Sequence, residues 1–78
     1  MKELLQVIAR HLVNDPDAVK VRETTTDTTS LLELTVARED VGRIIGKQGG
    51  TIKAIRTVVS AAASRTNRRV VLEIVEPG

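Results

Sequence analysis

The chain contains no phenylalanine, tyrosine or tryptophan, no cysteine, and a single histidine. Without cysteine there can be no disulfide, no thiolate zinc site and no thiol nucleophile, a composition that suits a reducing compartment. RRM and OB-type binders hold single strands by stacking bases on aromatic rings, worth ~1–3 kcal/mol per base, and this chain has no ring to offer apart from His11. Any nucleic-acid contact must use backbone, aliphatic and charged groups instead. Long apolar runs are missing too. The start, Met1-Lys2-Glu3-Leu4, lacks the apolar stretch of a signal peptide, and no segment approaches the ~20 residues of a membrane-spanning helix. The expectation is a cytoplasmic protein of one domain over residues 1–78. A chain this short buries only roughly 60% of its unfolded surface, so its stability is marginal unless it associates.

Acidic residues are scarce where it matters. Between Arg38 and Arg69 eight basic residues (Arg38, Arg43, Lys47, Lys53, Arg56, Arg65, Arg68 and Arg69) face only Glu39 and Asp40, whereas the rest of the chain holds four basic and eight acidic residues. The formal net charge of +2 therefore conceals a polarity between segments. Counterion release from phosphates responds to local charge, so this segment favours a polyanionic partner.

Hydrophobic spacing supplies the elements. Leu4, Leu5, Ile8, Leu12 and Val13 recur at helical intervals, and Asn14-Asp15-Pro16-Asp17 ends that helix with a proline that cannot continue it. Residues 18–23 and 31–37 alternate in strand fashion, the second with Leu32, Leu34 and Val36 on one face and Glu33 and Thr35 on the other. The threonine-rich stretch 24–30 between them is expected to be a polar hairpin loop. A short helix over residues 38–45, acidic in its first turn, stops at Gly46. Ile52, Ile55, Val58, Val59, Ala62 and Ala63 then mark a longer helix ending near Thr66, with Lys53, Arg56 and Ser60 opposite. Residues 69–76 alternate again, with Val70, Leu72 and Ile74 inward. The order is α-β-β-α-α-β. A hairpin joins the first two strands, and the helix pair is long enough for a right-handed crossover to a parallel third strand. An α+β fold follows: a three-stranded mixed sheet covered by helices on one face.

Within this order Ile44 to Ile52 reads Ile-Ile-Gly-Lys-Gln-Gly-Gly-Thr-Ile. Glycines at both ends of a four-residue loop remove the Cβ atoms that would hold a ligand off the backbone, and the following helix points free N–H groups at the site. The natural ligand is a phosphodiester backbone. A nucleotide-hydrolysing P-loop is a poor fit. Gly42 to Gly46 has one residue too few between its glycines, and Lys47 is followed by Gln48 rather than serine or threonine.

Together with the element order, Ile45-Gly46-Lys47-Gln48-Gly49-Gly50-Thr51-Ile52 resembles a type II KH domain, most specifically the small bacterial single-KH proteins of the KhpA type, over essentially the whole chain. The resemblance implies an RNA-binding protein that holds about four nucleotides of a single strand, serving as a post-transcriptional regulator or RNA chaperone. Gly46 and Gly49 would allow close backbone approach, and Lys47 and Gln48 would face phosphates and ribose. Val41, Ile45 and Ile52 would floor an aliphatic groove with Ile44 in the core, while Arg43, Lys53 and Arg56 would contact phosphates. The last strand would close the groove's other side. The resemblance also implies self-association or pairing with a KhpB (Jag-type) RNA-binding protein. Members of the family often carry a basic residue after the second loop glycine and a proline before the acidic pair, where this chain has Gly50 and Arg38.

Neither an enzyme nor a metal site is expected. His11 sits near the end of the first helix, where an exposed cation suits the dipole, no serine has a histidine–carboxylate pair, and Glu39 and Asp40 read as first-turn dipole partners. Arg65, Arg68 and Arg69 fit equally an RNA-facing cluster and a helix end. The alternative to RNA binding is a protein-interaction or dimerisation module, with the alanine-bearing face of the long helix as its surface.

Overall fold

In a computed structural model that describes residues 1–77, the elements follow the expected order. Helix α1 (Lys2–Leu12) buries Leu5 and Ala9, carries Glu3 in its first turn and Arg10 and His11 in its last, and ends where Val13 turns extended. The turn that follows is a 3-10 helix, Pro16–Ala18, with proline at its first position, where its fixed φ and missing N–H cost nothing. Strands β1 (Lys20–Thr25) and β2 (Thr29–Thr35) pair antiparallel, and β2 pairs parallel with β3 (Arg69–Ile74), so β2 is central. A 3-10 turn, Arg38–Asp40, leads into the short helix α2 (Val41–Ile45), and helix α3 (Gly50–Ser64) completes the crossover.

The core is wholly aliphatic. Leu32, Leu34 and Val36 from the middle of the sheet meet Leu5, Ala9, Val21, Ile44, Ile55, Val59 and Leu72. Burying each leucine contributes roughly 1.5–3 kcal/mol. Because Leu31, Glu33 and Thr35 alternate with the buried residues of β2, all three helices cover one face and leave the other open.

The structure corrects three expectations. The threonine-rich stretch is mostly strand: β1 runs to Thr25 and β2 starts at Thr29, leaving a tip of three residues closed by Thr26 N–H to Thr29 O at 2.8 Å and Thr29 N–H to Thr26 Oγ1 at 3.1 Å. Threonine is β-branched and extends a ladder readily, an effect outweighing its polarity. Two residues placed in the apolar patterns, Leu12 and Val58, are 38% and 50% exposed, because a sheet of three short strands cannot cover so broad an apolar arc. Asp40, taken as a dipole partner of its own helix, makes no capping hydrogen bond there and is fully buried.

Candidate nucleic-acid interface

The loop between α2 and α3 needs each of its two glycines for a different reason. Gly46 has φ 75° and ψ 173°, a region essentially closed to residues with a Cβ. A Cβ built there would fall on Thr51 Oγ1 and lie 2.8 Å from Thr51 N. The start of α3 thus presses against the loop from beneath, and glycine at 46 is demanded by the fold rather than by a ligand. At Gly49 the backbone is left-handed (φ 74°, ψ 14°), but a Cβ would meet nothing within 4 Å. Of these two glycines, only Gly49 leaves open space above the backbone. Gln48 between them is also left-handed, at φ 56°.

This backbone turns Lys47 and Gln48 outward. Both are exposed, and neither makes a side-chain hydrogen bond or ion pair among the described residues. Lys53 and Arg56 are exposed and unpaired on α3 in the same way. Lys47 and the two cations early in α3 are therefore without side-chain partners among the described residues. Of the aliphatic residues expected to floor a groove, Ile45 is 38% exposed at the end of α2, while Val41 and Ile52 are half-buried and packed against the core. Ile44 is fully buried, as expected.

Strand β3 is an edge of the sheet. The N–H groups of Arg69 and Val75 donate to Thr28 O and Leu34 O, at 2.9 and 2.8 Å. By strand alternation the peptide groups of Val70, Leu72 and Ile74 therefore point to the free edge. Just beyond β3, Glu76 and Pro77 lie with Arg38 and Val41 around a small hollow at the start of α2.

Two groups of basic residues are placed elsewhere. Arg65, Arg68 and Arg69 sit beyond the far end of α3, whose 15 residues separate them from the loop by about 22 Å at ~1.5 Å per residue. Arg68 Nη1 donates to Thr26 O at 2.7 Å and ties that end to the hairpin tip. Arg43 lies two residues from both Val41 and Ile45, hence on the other flank of α2, where its Nε is 3.4 Å from Asp40 Oδ1. Sequence reasoning missed Thr51 and Asp40. A β-branched residue five positions after a loop glycine was the only local hint for Thr51, and Asp40 gave none, because its partners lie far away in sequence. His11 Nδ1 is engaged with Val7 O at 2.7 Å, a contact within its own helix.

A model of the KhpA/KhpB KH domain matches residues 2–74. The chain belongs to the KhpA/KhpB KH-domain family. Its sequence is 56% identical over 75 residues to the RNA-binding protein KhpA of Clostridium acetobutylicum, covering 96% of this chain and all of that one. It is 51% identical over 76 residues to the KhpA of Chlamydia pneumoniae, covering 97% of both. Among solved structures, the chain resembles part of the protein Era from Aquifex aeolicus (TM-score 0.67, 23% identity, 96% of this chain and 29% of that one). It also resembles Era in a complex containing nucleotides 1506–1542 of 16S ribosomal RNA (TM-score 0.63, 24% identity, again 96% and 29%). At that identity the likeness establishes the KH fold alone. The type II order and mixed sheet expected from the sequence are thereby borne out.

Proposed function

We propose that this KH domain binds single-stranded RNA by laying a short segment across the Gly46–Gly49 loop, with bases against Val41, Ile45 and Ile52 and phosphates at Lys47, Gln48, Lys53 and Arg56. The observation that carries this reading is the loop itself: a backbone held in glycine-only geometry that offers an exposed lysine with no protein partner. The names of the relatives point the same way. With no phenylalanine, tyrosine or tryptophan to stack on and a few phosphates to neutralise, one domain binds weakly, at roughly micromolar Kd. Filter binding of an unstructured RNA pool against duplex DNA, over a range of salt, tests it. The expected result is a preference for the RNA and a log–log salt slope of about −2 to −3, since each of some three or four phosphates in a single strand contributes about −0.7. Tighter, salt-insensitive binding to the duplex would contradict the reading. Such affinity suits an RNA chaperone or post-transcriptional regulator in the cytoplasm, and involves no catalytic step.

A second reading, self-association, is favoured by a groove between α1 and α3. It is lined by Leu4, Ile8 and Leu12 on one side and Thr51, Ala54, Ile55 and Val58 on the other, with Val7 54% exposed nearby. Ala54, Val58 and Ala61 occupy a different flank of α3 from Lys53 and Arg56, so a second copy of this chain, or a second KH protein of the KhpB type, can dock there without covering the loop. Two linked grooves would raise avidity by ~10²–10⁴ where geometry lets both engage. Val58→Asp is expected to keep the fold, because the side chain is half exposed, and to abolish dimers in sedimentation equilibrium. Unchanged dimerisation in this variant rules the groove out.

A further inference from the structure

Asp40 is the one fully buried ionisable side chain among the described residues; it accepts two backbone hydrogen bonds and forms one ion pair. Its Oδ1 takes the backbone N–H of Asn14 at 3.1 Å and lies 3.4 Å from Arg43 Nε, while Oδ2 takes the N–H of Asp15 at 3.1 Å. The two backbone donors come from the turn after α1, some 25 residues away in sequence. The arginine of the ion pair sits in α2, on the helix that delivers the chain to the glycine loop.

The consequence lies in how Arg43 is held. Its side chain is 54% exposed, and its only ionic or hydrogen-bonding partner among the described residues is Asp40, reached through Nε. Its two Nη groups have no partner among the described residues. A guanidinium is a planar fork, so an ion pair made on its Nε side favours orientations in which the Nη donors face away from Asp40, and less side-chain freedom is left to lose when an anion arrives. Asp40 does not cancel the arginine, because part of its charge is already taken up by two backbone N–H groups.

We propose that Asp40 is a positioning residue for RNA: anchored to the Asn14–Asp15 turn, it holds Arg43 by Nε so that the guanidinium Nη groups receive a phosphate on the flank of α2 outside the groove. The proposal rests on the RNA-binding reading and extends the contacted backbone beyond the glycine loop. It also gives the buried carboxylate a role that helix-dipole stabilisation does not, since Asp40 makes no capping contact with its own helix.

The test is a double-mutant cycle on the full chain, read by the affinity for a fluorescein-labelled, unstructured single-stranded RNA pool, with circular dichroism melts alongside. Arg43→Ala is expected to weaken binding about 3–10-fold and to flatten the salt slope by about 0.7, the share of one phosphate. Asp40→Asn is expected to weaken binding by about 3-fold in the wild-type background and to have no further effect with Arg43→Ala present. Should Asp40→Asn fail to fold, Arg43→Lys decides, since it leaves Asp40 in place. A lysine that pairs with Asp40 has no second arm to offer, so it is expected to bind within about 2-fold of Arg43→Ala. An equal loss from Asp40→Asn in both backgrounds makes Asp40 a scaffold residue only and overturns the proposal, as does wild-type affinity in Arg43→Lys. A wild-type chain that ignores the RNA pool overturns the RNA-binding reading itself; a chain that binds and loses affinity on Lys47→Asp with Gln48→Asp, yet shows an additive cycle, overturns only the role of Asp40.

Discussion

Replacing Lys47 and Gln48 together by aspartate is expected to leave a folded protein that no longer binds RNA. Both side chains are exposed and make no contact that the fold uses. Aspartate also accepts the left-handed backbone at position 48, where φ is 56°, better than most residues do. The melting temperature should therefore move by less than the 4–8 °C that about 1 kcal/mol produces in a domain of this size. The effect on binding is of another order. The substitutions change the local charge by three units, and each costs about 1 kcal/mol against a phosphate at ~4 Å in water. The sum of ~3 kcal/mol is roughly a hundredfold in affinity, which carries a micromolar complex out of measurable range. A melt and a filter-binding titration on the same preparation check both halves. Unchanged affinity in the folded double variant would mean that RNA, if bound, is held somewhere other than this loop.

The second large effect is expected from one methyl group on Gly46. Alanine there must leave φ 75°, ψ 173°, or displace Thr51, whose side chain and backbone nitrogen both lie within reach of the new Cβ. Strain of this kind costs of order 1–3 kcal/mol, a sizeable part of the stability of a small domain. Relief by moving the loop would shift Lys47 and Gln48 as well, so RNA affinity should fall at least tenfold, since displaced contacts are lost rather than weakened. Gly50→Ala is the matched control. Gly50 is already helical at φ −65°, with nothing within 4 Å of an added Cβ. Alanine there is expected to stabilise the chain by up to about 1 kcal/mol and to leave binding unchanged. If the loop's geometry, rather than its glycine content, carries the function, urea denaturation gives opposite signs for the two variants and RNA titration shows a loss for Gly46→Ala alone.

Much of this protein was legible in the residues themselves. The alternation of Leu32, Leu34 and Val36 against Glu33 and Thr35 and the helical spacing of Leu5 and Ile55 are local patterns with periods of 2 and 3.6; with the two-glycine interruption at Gly46 and Gly49 they give the element order and the position of the loop, and the resemblance to a KH domain rests on both. The exposure of Lys47 and Gln48 was equally plain, because a short polar loop between two apolar helix ends has nowhere else to put them. The hairpin was less so, since threonines are polar enough to read as loop and β-branched enough to form strand. What only the tertiary structure decided depends on contacts between residues far apart in sequence. Asp40 and Glu39 are adjacent acids at a helix start, and no local rule separates them. One is exposed and the other is buried, because only Asp40 meets the Asn14–Asp15 turn. Arg43, Lys53 and Arg56 looked alike as free cations, yet Arg43 is tied to Asp40 while the other two are unpaired. The run of positive charge from Arg38 to Arg69 was divided by the length of α3 into a group at the loop and another at the hairpin tip. The face that Val58 presents was likewise set by the sheet's width, because burial of an apolar residue depends on how much surface lies opposite it, a quantity that its own neighbours in sequence do not carry.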